Sequence, residues 1–340
     1  MSVLLPVYNA ARFVRLSIES VLKQNYENTE IIVVDDGSTD STAEIIKDLS
    51  NTDFRIKYMH KHNSGIVDAL NLGLSASSGE FIARQDGDDI SARGRLTKQV
   101  DYLLERPSCI AVSGAHFHID EEGRFTGEKH YPNNRGSGDY TAYPAREPYL
   151  PHPFLMMRAD ILKKLKYRHT FHCEDSDLYW RAVPFGQLEN MGDILGLYRI
   201  HTASISGASV VEGRIQAVYS QLAAISAARQ DLMQPDLAFD PSLLKRCREA
   251  KSLEGMIGLF AGELPPHELF YLKAASALKL IELAGFRPYR LEEDDLRYVR
   301  NNVDPSVLRG KENRKNARKT IRGYYRRQGL PSLLKYFMGF

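Results

Sequence analysis

The sequence predicts an α/β fold: a mostly parallel sheet flanked by helices, followed by an α-helical C-terminal region. Three observations carry that expectation. Strand and helix signals alternate through the first part of the chain, acidic clusters fall at the ends of the second and fourth strand-like runs, and beyond Ser209 only helical periodicity remains. Alternating strands and helices build a largely parallel sheet with helices on its faces. Ligands of such sheets gather beyond the carboxyl ends of the strands.

Ser2-Val-Leu-Leu-Pro6-Val reads as a buried strand, and residues 12–24 then place Val14, Ile18, Val21 and Leu22 on one helical face. Glu30-Ile-Ile-Val-Val-Asp35, rich in β-branched side chains, is a second strand. Ser38, Thr39 or Asp40 caps the next helix, which is expected to run to about Leu49. Residues 55–59 form a third strand, Ser64 caps a helix through Ser75, and residues 80–84 form a fourth strand. Helices are then expected over 211–229, 242–253, 268–284 and 292–302, with Gly207 and the stretch 233–241 as punctuation. The expected organisation is a catalytic domain over 1–230, a helical region over 231–308 and a basic amphipathic tail over 309–340.

A chain of 340 residues with 43% hydrophobic content can bury a sizeable core in two units. Cys109, Cys173 and Cys247 are widely spaced and form no CxxC pair, which excludes a thiolate zinc site and fits a reducing, cytoplasmic setting. No run of apolar residues is long enough to span a membrane. The formal charge of +2 hides an asymmetry: from Arg309 onward ten lysines and arginines oppose the single acid Glu312, so the body of the chain is mildly acidic.

The residues able to carry chemistry sit in the two acidic turns, Asp35-Asp36-Gly37-Ser38 and Asp86-Gly87-Asp88-Asp89. Gly87 lets the backbone turn so that Asp86 and Asp88 aim at one point. Crowded carboxylates repel and usually hold a cation, and oxygen ligands select a hard ion, Mg²⁺ or Mn²⁺. A solvated acidic turn has the same composition, so the tetrapeptide alone leaves both readings open. Asp36, at the end of the neighbouring strand, is placed to accept hydrogen bonds from a ribose or a base. No GxGxxG follows the first strand and no GxxxxGK[ST] loop occurs, which excludes the dinucleotide fingerprint and the P-loop.

Taken together, Ser2-Val-Leu-Leu-Pro-Val-Tyr-Asn9, Ile32-Val-Val-Asp-Asp-Gly-Ser-Thr-Asp40, Gly79-Glu-Phe-Ile-Ala-Arg-Gln-Asp-Gly-Asp-Asp-Ile90, Glu174-Asp-Ser-Asp-Leu-Tyr-Trp-Arg181 and Tyr198-Arg-Ile-His-Thr-Ala-Ser-Ile-Ser206 resemble the inverting, GT-A-fold glycosyltransferases of family 2. The resemblance covers roughly the first 210 residues. It implies that Pro6, Tyr8, Asn9, Asp36 and Asn63 belong to the nucleotide-sugar site, with a UDP-sugar as the expected donor. Asp86 and Asp88 match the DxD motif that holds Mn²⁺ or Mg²⁺ on the diphosphate, and Arg84 adds positive charge beside it. Arg199 and His201 match a loop that closes over the diphosphate, where the histidine joins the metal. Asp175, in the Glu174-Asp175 pair, matches the general base of a single displacement. The proline common after the DxD in similar sequences is missing from Ser91-Ala-Arg-Gly-Arg95, although Arg95 matches a recurrent arginine.

The basic tail ends in Leu330, Leu333, Leu334, Tyr336, Phe337 and Met338, a pattern expected of a peripheral anchor on an anionic membrane. That setting suits a saccharide or lipid-linked saccharide acceptor on the inner face of the cytoplasmic membrane, in surface-polysaccharide, O-antigen or lipopolysaccharide assembly. No RNA-binding motif accompanies the tail, so nucleic acid is not an expected partner. The competing readings are a nucleotidyltransferase and a catalytically silent sugar-nucleotide-binding scaffold.

Overall fold

A computed structural model describes residues 1–132, 138–201, 209–287, 289–303, 308 and 310–327. The strands are β1 (Ser2–Val7), β2 (Glu30–Asp35), β3 (Ile56–His60), β4 (Phe81–Arg84), β5 (Ile90–Ser91), β6 (Cys109–Ile119), β7 (Phe125–His130), β8 (Met156–Arg158) and β9 (Gln187–Arg199). The helices interleaved with them are α1 (Val14–Leu22), α2 (Thr42–Thr52), α3 (Ile66–Ala76), α4 (Arg95–Glu105), α5 (Ala159–Leu165) and α6 (Glu174–Ala182). Then come α7 (Val210–Asp231), α8 (Leu243–Glu249), α9 (Leu253–Gly258), α10 (Pro266–Ala284), α11 (Glu293–Asn302) and α12 (Lys311–Arg327).

The chain divides into two compact units. The first comprises Met1–Ser137, Pro148–Arg168 and Arg181–His201; the second comprises Gly138–Glu147, His169–Trp180 and Thr202–Phe340. The boundary expected near residue 230 lies at the end of α7, whereas the contacts assign α7 to the second unit.

In the first unit one mixed sheet runs in the order β3-β2-β1-β4-β8-β6-β9-β5, with β7 paired to β6. Its β3-β2-β1-β4 half is parallel, as is β6 with β9; β8, β5 and β7 pair antiparallel. Alternate side chains of β1 serve opposite faces. Val3, Leu5 and Val7 join Ile31 and Val33 in a core with Val14 and Ile18 of α1, Ile46 of α2 and Leu96, Val100 and Leu103 of α4. Leu4 and Val34 face α3, whose Gly73 sits so close that a Cβ there would lie 2.2 Å from Leu4 Cδ1. Burial on both faces is why these strands read as unbroken apolar runs.

The second unit is helical. α7 is buried nearly all round, and its Ile215, Val218 and Leu222 share a core with Leu272, Leu278 and Ile281 of α10. The Ser209 hydroxyl caps α7 by accepting the Glu212 N–H at 3.3 Å, and Ser252 caps α9 likewise at 3.1 Å from Gly255. The helix expected over 242–253 is broken into α8 and α9 by the segment ending in that cap. In α12, Ala317 and Tyr324 are buried in the same core while Lys311, Arg314, Lys315, Arg318, Lys319, Arg322 and Arg326 are exposed. The apolar face of this helix is therefore docked on its own unit and is not open for insertion into a membrane. The apolar stretch from Leu330 to Met338 lies outside the described residues.

Candidate active site

The site at the carboxyl edge of the sheet begins where β1 ends. Pro6 is buried inside β1, paired with Val34, and Tyr8 emerges with half its surface exposed (52%). Asn9 adopts a left-handed backbone (φ 48°) and stitches this turn to the next one. Its N–H donates to Ser38 Oγ at 2.9 Å, and its Oδ1 accepts the Thr39 N–H at 2.8 Å. Asn9 thus holds two loops together, and the Tyr8 ring beside it is exposed.

After β2 the two aspartates divide the work. Asp35 is fully buried and accepts the Ser38 N–H at 2.8 Å and the Tyr58 hydroxyl at 3.0 Å, with His60 Nδ1 at 3.2 Å. Although burial alone would raise its pKa, these partners hold its carboxyl below the usual carboxylate range. Asp36, 5% exposed, accepts the N–H groups of Ser64 at 3.0 Å and Gly65 at 2.8 Å, just ahead of α3, and pairs with the Lys61 ammonium. Its place beside the end of β1 is as expected, and Lys61 is a partner that no spacing in the sequence announced. Asn63 is exposed. Its backbone N lies 2.7 Å from where a Cβ on Gly37 would be, so Gly37, at φ 76°, must be glycine for both reasons.

The second acidic turn follows β4. Gly87 has no positive φ; its requirement is a close approach, since a Cβ would meet Val7 Cγ1 at 2.8 Å. That contact lays the turn against the end of β1. Beneath it, Ser17 donates to the Asp86 carbonyl at 2.6 Å and Gln85 Nε2 donates to the Asp89 carbonyl at 2.9 Å. Arg95, 1% exposed, donates to Gln85 Oε1 at 2.8 Å, Ser91 Oγ at 3.0 Å and the Arg84 carbonyl at 2.6 Å. Burial pulls the Arg95 pKa down to about 9 against the attraction of Asp89.

On this floor, oxygens of Asp86, Asp88 and Asp89 lie within 4.8 Å of one another. Arg84 pairs with Asp86. Burial pushes the Asp86 carboxyl up, with Arg84 opposing and Asp88 adding to the rise. Burial pushes Asp89 higher still, reinforced by Asp88 and Asp86. Asp89 accepts the Arg199 N–H at 2.8 Å through Oδ1, while its buried Oδ2 has no hydrogen-bond partner. Three convergent carboxylates, one with an orphaned buried oxygen, fit a hard divalent cation. Asp89 was missing from the residues singled out in the sequence, although it stands in the same tetrapeptide.

Arg199 and His201 reach this turn from the end of β9. Arg199 is 2% exposed and donates to the backbone carbonyls of Asp88 at 2.9 Å, Asp120 at 2.9 Å and Glu121 at 3.2 Å, with its guanidinium 4.7 Å from the Phe13 ring centre. Its Nε and Nη1 brace the backbone of the carboxylate turn and of the segment at Asp120. His201 Nε2 lies 2.8 Å from Asp88 Oδ2, and its ring stacks on Phe13 at 5.2 Å. His201 is thus a direct neighbour of the carboxylate cluster; residues 202–206 of that motif lie outside the described residues.

Glu174 and Asp175 open α6 in the second unit. Asp175 Oδ1 accepts the Ser176 N–H at 2.7 Å. The Cys173 thiol behind them is buried and donates to the Gln216 carbonyl at 3.4 Å.

A mixed sheet with helices on both faces and a carboxylate cluster at its edge is the arrangement of the GT-A fold. The chain belongs to glycosyl transferase family 2, whose family model matches residues 2–166. It is 32% identical over 209 residues to the O-antigen biosynthesis glycosyltransferase WbnJ of Escherichia coli, covering 60% of this chain and 81% of that one. An uncharacterized glycosyltransferase of Rickettsia bellii is 43% identical over 125 residues, but those cover 37% of this chain and only 18% of that protein. In fold, the chain is similar to the mannosyltransferase PcManGT from Pyrobaculum calidifontis in complex with GDP-Man and Mn²⁺ (TM-score 0.54, 15% identity, 99% of this chain and 84% of that one). It is also similar to S. aureus TarS 1-349 in complex with UDP (TM-score 0.52, 19% identity, 100% and 91%).

Proposed function

We propose that this chain transfers a sugar, with inversion, from a nucleotide diphosphate sugar to an acceptor hydroxyl, and that the donor is a UDP-sugar. The observation that carries the reading is the Asp86, Asp88 and Asp89 cluster with the orphaned Asp89 oxygen, beside Tyr8 and Asp36 at one edge of the sheet. In this reading Tyr8 and Asp36 receive the nucleoside. Asp86, Asp88 and Asp89, with His201 beside Asp88, hold a Mn²⁺ or Mg²⁺, which offsets the charge of the diphosphate. Arg84 sets the Asp86 carboxylate, and Arg199 sets the backbone of the turn.

Asp175 takes the proton of the acceptor hydroxyl as its oxygen attacks the anomeric carbon from the face opposite the diphosphate. The bond to the diphosphate breaks, so an α-linked donor gives a β-linked product. A carboxylate base of this kind contributes ~10²–10⁴-fold. The likeness to an O-antigen glycosyltransferase supports a saccharide acceptor, and a lipid-linked saccharide in surface-polysaccharide assembly is the proposed one. The exposed cations of α12 would hold the protein to an anionic membrane by charge, with no helix among the described residues long and apolar enough to cross it.

The test uses UDP-glucose, UDP-galactose, UDP-N-acetylglucosamine and GDP-mannose, each with Mn²⁺, and reads the nucleotide released. Release of UDP from one of the UDP-sugars, abolished by EDTA and restored by Mn²⁺ or Mg²⁺, is expected, and release of GDP from GDP-mannose alone would overturn the UDP-sugar as donor. Asp175→Asn should lower that turnover ~10²-fold or more with nucleotide binding retained. Release of pyrophosphate would mean nucleotidyl transfer. Full turnover in Asp175→Asn would remove Asp175 as the base, whereas no nucleotide release from any donor, with cellular function untouched by Asp175→Asn, would leave a binding scaffold as the surviving account.

A further inference from the structure

The start of α6 is held from behind by a partly buried charge pair that no motif marks. Ser176 Oγ donates to Glu147 Oε2 at 2.6 Å, and the other oxygen of Glu147 lies 3.0 Å from the Lys279 ammonium on α10. Glu147 and Lys279 are each only 15% exposed. Burial works against the lysine's charge, yet Glu147 and Glu282, 3.6 Å away, raise its pKa above the ordinary lysine value. The segment carrying Glu147 is itself pinned: the Ala145 N–H donates to Gln221 Oε1 at 3.0 Å, and the Tyr271 hydroxyl donates to the same oxygen at 3.1 Å. Cys173 ties the residue before the helix to α7.

From these contacts we infer that Lys279 and Glu147 are positioning residues for Asp175, acting through Ser176. The inference rests on Asp175 being the base of the proposed transfer. The Ser176 N–H fixes Asp175 Oδ1, the Ser176 hydroxyl is fixed by Glu147, and Lys279 holds Glu147. A carboxylate that must meet an acceptor hydroxyl gains rate from such fixed orientation. The arrangement has an electrostatic side as well. Among the described residues, Glu147, Glu174, Asp175 and Lys279 act on the Cys173 thiol, Glu147 and Glu282 act on Lys279, and Glu147, Asp139 and the Tyr143 phenol act on Tyr271. With Lys279 gone, Glu147 would stand as an unneutralised anion beside the base and raise the pKa of Asp175.

The experiment compares Lys279→Met, Ser176→Ala, the double variant Glu147→Gln/Lys279→Met and Asp175→Asn, using the sugar nucleotide from the panel above that is turned over fastest. Lys279→Met should lower kcat by about 10-fold to 10²-fold with the affinity for UDP unchanged. It should also move the acid limb of kcat/KM to higher pH, because that limb reports ionisation of the base. Glu147→Gln/Lys279→Met, which removes both charges and keeps an acceptor for Ser176, should return the acid limb to its original position. Ser176→Ala should lower kcat without moving UDP affinity, and it decides the matter if Lys279→Met does not fold. If Asp175→Asn is inactive while Lys279→Met, or failing that Ser176→Ala, keeps the wild-type kcat and pH profile, the positioning role is overturned and the base stands. If Asp175→Asn keeps full turnover, the base reading falls and this inference falls with it.

Discussion

In the second unit, three largely enclosed cations each meet a carboxylate: the buried Arg214 pairs with Asp295 and Glu292, and the partly buried Arg229 and Lys279 pair with Glu268 and Glu147. In the first unit, Arg95 and Arg199 are buried but donate to amide, hydroxyl and backbone oxygens, while of the three carboxylates crowded beside them Asp86 pairs with the buried Arg84. Both arrangements satisfy the donors. They differ in what is left over. Pairing within the second unit cancels charge and gives a scaffold. In the first, one arginine, Arg84, stands against three carboxylates, and such an under-compensated cluster is set in advance to meet a charged ligand.

The sharpest way to break this comparison is to remove a cation from a cancelled pair. Arg214 is 2% exposed and its two nitrogens reach Asp295 at 2.9 and 2.7 Å. Arg214→Met leaves Asp295, itself fully buried, without its cation, and a loss of about 3–5 kcal/mol in unfolding free energy is expected. Chemical denaturation measures it. A loss under ~1 kcal/mol would mean that the second unit does not depend on cancellation.

A smaller effect comes from a buried group of the first unit that titrates. His116 on β6 stacks against His130 at 4.9 Å and His118 at 5.4 Å and is 6% exposed. Burial lowers its pKa to about 3, and the two neighbouring imidazoles add to the fall. Above pH 6.5, the ordinary histidine value, folded and unfolded chains both keep this ring neutral and stability is unaffected. As pH falls from there toward about 3, the unfolded chain binds a proton that the folded chain refuses, so stability declines. Between pH 6.5 and 5 the decline is roughly 2 kcal/mol. His116→Phe keeps a ring in place and should flatten the dependence of the thermal midpoint on pH in that window. An equally steep dependence in the variant would assign it to other groups.

How legible each unit was in the sequence follows from the same contrast. β1 and β2 were visible to the residue because burial on both faces demands continuous β-branched and aliphatic side chains. The carboxylates were visible because the chain concentrates them in two short turns. The supporting role of other residues was not, since Arg199 and Arg95, singled out only through the resemblance, act through neutral oxygens that every sequence contains, and Lys61 meets Asp36 only because β3 and β2 run in register. Gly87 was read as a turn former, yet it is needed for its closeness to Val7, a contact between distant segments. In the second unit the helices showed through periodicity, but Glu147 and Lys279 come together from residues far apart in the chain. No local pattern encodes that pairing.

The smallest expected effect is the most telling for the first unit, because its sign reverses with the ligand. Asp89 uses one oxygen on the Arg199 N–H and buries the other without a partner among like charges. Asp89→Asn keeps the acceptor for Arg199 and turns the orphaned oxygen into an N–H donor facing Asp86 and Asp88. Without divalent cation the substitution should therefore raise stability by about 1 kcal/mol, since it relieves an unsatisfied buried group. With Mn²⁺ present the order should invert, because a ligand that binds the folded state raises its stability in proportion to occupancy, and the variant has lost one of three oxygen donors. Thermal midpoints of both proteins, in EDTA and in millimolar Mn²⁺, give the four values required. A crossover means that the first unit holds its carboxylates in a costly arrangement for the sake of a cation. Parallel shifts, with Asp89→Asn less stable in both media, would place Asp89 among the supports of the turn, alongside Arg199 and Arg95.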